Sequence, residues 1–178
     1  MSFPASDASA SLAPLLITLR FDSDSFKRLS ALRTRYFPRH RNVVPTHLTL
    51  FHALPGERED LVRQTLAEVC AQTNKLDLHF TDLRFLGRGV ALNVECPELA
   101  RVRGDLARVF RPFLGAQDAQ NWKHPHVTIQ NKVTPETARS TFDELSDDWQ
   151  SWNGQGEGLF LWYYRGGPWE KAGDYNFG

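Results

Sequence analysis

A tetrapeptide of one form occurs twice in this chain: His47-Leu48-Thr49-Leu50 in the first half and His126-Val127-Thr128-Ile129 in the second. Each copy alternates polar and aliphatic residues, which is the period of two of a β-strand with one face buried. His47 and Thr49 therefore share one face, with Leu48 and Leu50 on the other. His126 and Thr128 lie opposite Val127 and Ile129 in the same way. A fold that buries both aliphatic rows presents two imidazoles and two hydroxyls on the polar side. If the two strands face each other, those four side chains make one cleft.

Such a cleft suits a phosphodiester. Displacement at phosphorus needs a proton removed from the attacking oxygen and a proton delivered to the leaving oxygen. Two imidazoles flanking the phosphorus do both without a metal. An ordinary histidine pKa near ~6.5 lets one ring be neutral while the other is charged. A threonine two residues along the same face can donate to a non-bridging phosphate oxygen, and its β-branch keeps that donor aimed. His47 and His126 are thus the candidate acid–base pair, and Thr49 and Thr128 the candidate phosphate holders. The symmetry of the pattern leaves two assignments open, of which one takes His126 as base and His47 as acid.

Composition limits the alternatives. The chain has 178 residues, 41% of them hydrophobic and 24% charged, which is globular composition. Twenty-one basic residues balance twenty-one acidic ones. There is no overall field to draw the protein onto DNA, although a local patch for one or two phosphates remains compatible. The two cysteines, Cys70 and Cys96, lack CxxC spacing, so reduced thiols and a cytoplasmic location are expected. The N-terminal stretch lacks a basic region and a long apolar core. Residues 1–13 are expected to be a disordered tail ahead of one domain over 14–178, with no membrane segment.

The order of elements reads β-α-β-α-β-β-α-β-α-β. Leu15 to Phe21 is a strand. The Asp22-Ser23-Asp24-Ser25 run caps a helix whose inner face is Phe26, Leu29 and Leu32. Residues 46–54 form the first motif strand. A helix follows over Glu57 to Thr73, with Leu61, Leu66, Val69 and Cys70 facing in. Strands are expected at 76–80, 83–85 and 90–94. Pro97 opens an amphipathic helix that ends before Pro112. After a polar loop over 116–123 comes the second motif strand, 126–133. Thr134-Pro135 starts the last helix, with Ala138, Phe142, Leu145 and Trp149 inside. Gly154, Gly156 and Gly158 read as a loose connector, Leu159 to Tyr164 as a final strand, and the rest as a surface tail. The motifs mark a weak internal duplication. The fold class expected is α+β, with mostly antiparallel sheets and helices packed outside.

Paired His-x-Thr-x motifs of this kind resemble the 2H phosphoesterases, in particular the bacterial 2′-5′ RNA ligase-like branch. Pro125, Gln130-Asn131 and the segment Leu161-Trp162-Tyr163-Tyr164 to Gly166-Gly167-Pro168-Trp169 carry the same likeness. The resemblance implies a bilobal, pseudo-twofold fold with both motifs in one groove. It implies action on 2′,3′-cyclic phosphates or 2′-5′ linkages of RNA ends or small nucleotides, with no cofactor and no metal. Members typically hydrolyse a cyclic phosphate to a 2′-phosphomonoester, and some join RNA halves.

Substrate contacts are expected from Phe51, in phase with His47 and Thr49, and from Gln130 and Lys132, in phase with His126 and Thr128. Trp122, Tyr164 and Arg165 are further candidates for stacking or phosphate contact, with core packing an equal explanation for most of them. The basic run Arg33, Arg35, Arg39, His40 and Arg41 is either a solvated face or a phosphate contact. His52 falls on the aliphatic side of its strand and reads as structural. Two alternatives stand beside the enzyme: a non-catalytic nucleotide- or RNA-end-binding module in the same groove, and a zinc hydrolase using His124, His126 and a third ligand such as His47. No Walker-type loop or nucleophile elbow is present. A monomer is expected.

Overall fold

The computed structural model describes residues 12–178. The expected N-terminal tail lies outside the described residues up to residue 11. Leu12 and Ala13 carry no regular structure.

Among the described residues seven strands form one antiparallel sheet: β1 (Leu15–Phe21), β2 (Thr49–Leu54), β3 (Leu76–Phe85), β4 (Val90–Glu95), β5 (His126–Gln130), β6 (Trp152–Tyr163) and β7 (Glu170–Asn176). The order across it is β2-β1-β6-β3-β4-β5, and β7 pairs with β6. The helices are α1 (Ser23–Tyr36), α2 (Glu59–Ala71), α3 (Pro97–Phe110), the single turn α4 (Ala116–Ala119) and α5 (Pro135–Asp147). The halves repeat as β1-α1-β2-α2-β3 and β4-α3-β5-α5-β6. This is the expected pseudo-twofold α+β fold. The motif strands β2 and β5 are the two ends of the strand order. The sheet curls as a half-barrel, so its ends approach each other across one cleft.

Local chemistry accounts for the helices. Asp22 caps α1 by accepting from the Ser25 amide at 2.9 Å, and Thr134 caps α5 by accepting from the Thr137 amide at 3.2 Å. Pro97 and Pro135 sit in first turns, where a missing amide proton costs nothing. In α3 the apolar stripe Leu99, Val102, Leu106 and Phe110 is buried as its spacing requires. In α1 the buried residues are Ser25, Leu29 and Arg33, while Phe26 is exposed.

The stretch expected as a glycine connector is instead the middle of β6, the longest strand. A Cβ on Gly154 would stand 2.1 Å from Ser25 Oγ, and one on Gly158 2.3 Å from the Tyr175 carbonyl oxygen. Glycine here lets α1 and β7 press onto the strand. The expected surface tail is β7, and Phe177 beyond it is buried. One end of β6 pairs with β3 and the other with β1 and β7, so this strand joins the two halves.

Buried arginines tie the halves crosswise. Arg33 of α1 donates through Nη1 to the Thr128 carbonyl in the opposite half's motif strand at 3.0 Å, and through Nε to Asn42 Oδ1 at 2.7 Å. Arg103 of α3 donates through Nε to the Leu50 carbonyl at 3.2 Å and through Nη2 to the Asp118 carbonyl at 2.6 Å. Each guanidinium also covers a phenylalanine ring, Phe37 at 4.0 Å and Phe51 at 4.2 Å. Arg33 is therefore a brace between halves. Arg39, His40 and Arg41 form an exposed single turn. Cys70 and Cys96 are buried free thiols.

Candidate active site

Leu48 and Leu50 of the first motif, and Val127 and Ile129 of the second, are fully or almost fully buried. That anchoring turns His47 and Thr49, and His126 and Thr128, to the other side. All four polar side chains line one cavity of about 510 Å³. The strand β2 begins only at Thr49, so His47 stands on the extended segment just before it.

The two imidazoles are held alike. His47 Nδ1 lies 2.8 Å from the Pro45 carbonyl oxygen, and His126 Nδ1 lies 3.1 Å from the His124 carbonyl oxygen. A carbonyl only accepts, so each Nδ1 carries the proton and each neutral ring keeps its lone pair on Nε2. In both copies the acceptor is two residues upstream. His124 reaches its place through a left-handed backbone, φ 57°.

Their surroundings differ. Trp169 packs against His47 with ring centroids 4.6 Å apart. Burial pushes the His47 pKa down to about 4; the Pro45 carbonyl opposes this, and the charges of Arg33, His52 and His126 add to it. His126 is also lowered, first by loss of solvent, then by Arg84 and His52, with the His124 carbonyl opposing. The Arg84 guanidinium stands 3.5 Å from His126 Nδ1 and donates to the His124 carbonyl at 3.1 Å.

Both motif strands carry a bulge at the same place. On β1 the neighbours Thr18 and Ile17 pair with Thr49 and Phe51; on β4 the neighbours Ala91 and Val90 pair with Thr128 and Gln130. One extra residue after each threonine shifts the alternation by one. Position His+4 then turns inward in both copies, which corrects two expected substrate contacts. Phe51 is fully buried against Phe110, and Gln130 is buried with Nε2 donating to Thr141 Oγ1 at 2.8 Å.

The same shift brings His52, which strict alternation assigned to the aliphatic side, onto the cavity wall. Its Nδ1 is 3.0 Å from Asp118 Oδ1, and Asp118 also accepts from the His52 and Ala53 amides at 2.9–3.0 Å. Burial raises the Asp118 pKa, but these hydrogen bonds outweigh it and hold the carboxyl below its usual range.

Other expected contacts divide. Trp122 lines the cavity and donates from Nε1 to the Thr49 carbonyl at 3.3 Å. Lys132 lies beyond the end of β5, exposed and with left-handed backbone, φ 62°, so strand phase does not apply to it. Tyr164 and Arg165 are exposed outside the cavity wall, and Arg165 pairs with Glu170 at 2.7 Å. Trp169, Asp118 and Lys123, none of them among the expected contacts, also stand on the wall, and His52 is on the polar side of its strand rather than the aliphatic one. Trp169 was within reach, since it belongs to the quoted C-terminal likeness. Among the described residues no three His, Cys, Asp or Glu side chains are grouped to hold a metal ion, and no helix is long and apolar enough to cross a membrane.

Residues 21–168 match the family model of the 2′-5′ RNA ligase superfamily. The fold is similar to that of TT0787 of Thermus thermophilus, with a TM-score of 0.66 at 14% identity, covering 92% of this chain and 97% of that one. It is also similar to E. coli LigT complexed with 3′-AMP, with a TM-score of 0.61 at 15% identity, covering 93% and 98%. No curated protein sequence matches the chain. At such low identity the neighbours speak for the fold alone. The family match spans both halves and both motifs, and by it the chain belongs to the 2′-5′ RNA ligase superfamily, with the 2H phosphoesterase fold of the LigT type.

Proposed function

We propose that the cleft hydrolyses a 2′,3′-cyclic phosphate, or a 2′-5′ linkage, at an RNA end or on a small nucleotide, without a metal. The observation that carries this is the pairing of the imidazoles. His47 and His126 line one cavity, each with Nδ1 held by a backbone carbonyl and Nε2 left free. Thr49 and Thr128 stand beside them as hydroxyl donors for the non-bridging oxygens.

In the cyclic phosphate reaction a water oxygen attacks phosphorus. One Nε2 takes a proton from that water, the bond from phosphorus to the ribose 3′ oxygen breaks, and the other ring delivers a proton to the 3′ oxygen. The product is a 2′-phosphomonoester. His47, held down to about 4, is the ring more firmly kept neutral. That favours His47 as base and His126 as acid, the reverse of the assignment with His126 as base.

The cavity wall supplies Lys123 as a further cation for an anionic substrate. A structurally similar protein, E. coli LigT, is known in complexes with 3′-AMP, ATP, NADP+ and phosphate, which supports a nucleotide phosphate as ligand here. Turnover of adenosine 2′,3′-cyclic phosphate in EDTA tests the reading. Steady hydrolysis to the 2′-monophosphate is expected. Binding without turnover would make the groove a nucleotide-binding module, and activity lost with EDTA and restored by zinc would make it a metal site.

A further inference from the structure

We propose that His52, oriented by Asp118, binds a second phosphate of the substrate, one that is not the phosphate being cleaved. The inference rests on the proposed phosphodiester chemistry and adds a specificity site to it.

The geometry is that of a built site. Asp118 is 3% exposed and is fixed by two backbone amides of β2 as well as by the His52 ring. Its main-chain carbonyl is held in turn by Arg103 at 2.6 Å. A buried carboxylate accepting from Nδ1–H leaves Nε2 as the free atom of His52, on the cavity wall. When that nitrogen is protonated it donates to an anionic oxygen, and Asp118 balances the charge. Neither group takes part in the proton transfers proposed for His47 and His126.

Position along the strand selects which phosphate. Bulges shorten β2 against β1, so the backbone of His52 stands opposite Leu16 and Ile17, about 5 Å beyond Thr49, the residue proposed to hold the reacting phosphate. That offset, with the ring turned onto Asp118 on the cavity wall, suits a neighbouring phosphate one nucleotide unit away. Lys123 lines the same cavity and adds a second cation. The ligand is therefore a nucleoside cyclic phosphate that also carries a 5′ phosphate, either a terminal monoester or the last linkage of an RNA chain.

Three probes test this: adenosine 2′,3′-cyclic phosphate, its 5′-phosphorylated form, and the dinucleotide ApA ending in a 2′,3′-cyclic phosphate. The wild type is expected to favour a probe with the extra phosphate by about tenfold or more in kcat/KM, and His52→Gln to cut that preference below about threefold, through KM. Asp118→Asn should weaken the preference in the same direction, as a positioning residue. Preference for the monoester probe or for the dinucleotide says which source of phosphate the site takes, and either supports it. Equal use of all three probes by the wild type, or an equal loss on all three in His52→Gln, overturns it.

If the wild type turns over none of the probes, the phosphodiester reading fails separately. Calorimetry then decides the phosphate site. Adenosine 3′,5′-bisphosphate should bind about tenfold tighter than adenosine 3′-monophosphate in the wild type and not in His52→Gln. Equal affinities in the wild type overturn the proposal.

Discussion

The two motif segments are built alike and housed differently. Both present histidine and threonine on one side, hold Nδ1 on a carbonyl two residues upstream, and bulge after the threonine. Yet His47 is covered by Trp169 and feels the Arg33 charge, whereas His126 is the more open ring with Arg84 beside it. A shared backbone device aims two equivalent nitrogens. The side chains around each copy then set how readily that nitrogen takes a proton, which is the difference that the proposed split into base and acid requires inside a symmetric fold.

The sharpest way to break the comparison is to remove either ring. His47→Ala and His126→Ala should each lower kcat/KM on a 2′,3′-cyclic nucleotide by about a thousandfold or more, with the circular dichroism spectrum unchanged. Removing the hydroxyls should cost less and should cost the two halves similarly. Thr49→Val and Thr128→Val are expected to lose about 10- to 100-fold each, because each deletes one donor to the phosphate. A loss confined to one of them would show that the phosphate sits in one half only.

The crossed arginines link each helix to the opposite motif. Arg33→Met strips the donor from the Thr128 carbonyl, and Arg103→Met strips those from the Leu50 and Asp118 carbonyls. Each should cost about 1–3 kcal/mol in urea denaturation.

Two substitutions sharpen the difference in proton affinity. Trp169→Ala admits water to His47, and since burial is the largest cause lowering that pKa, the acid limb of kcat/KM should move up from about 4. Arg84→Met removes a charge that lowers His126, so the alkaline limb should move up by a smaller amount. In the wild type the profile should be bell-shaped, with its maximum between these limbs on the acid side of neutrality. A flat profile from about pH 5 to 9 contradicts two titrating rings.

Much of this was legible in the residues. The tetrapeptides placed both aliphatic rows in the core and both histidines on the other side, and α3 followed its apolar spacing from Pro97 to Phe110. Two kinds of feature were hidden. Alternation counts residues, and a bulge inserts one without any marker in the sequence, so Phe51 and His52 exchanged sides and Gln130 turned inward. Glycine reads as flexibility, but Gly154 and Gly158 are there because a neighbouring element occupies the space of a side chain. That neighbour lies far along the chain. The His52–Asp118 contact was out of reach for the same reason, since it joins β2 to a turn more than sixty residues on.

The central claim is that the two rings act as one unit on one phosphorus. The most direct test compares kcat for His47→Ala, His126→Ala and the double variant, in EDTA, on adenosine 2′,3′-cyclic phosphate. The account predicts that the double variant is about as impaired as either single one, because a proton pathway broken at one end is already broken. Losses that multiply in the double variant, or a single variant that keeps substantial turnover, would contradict it.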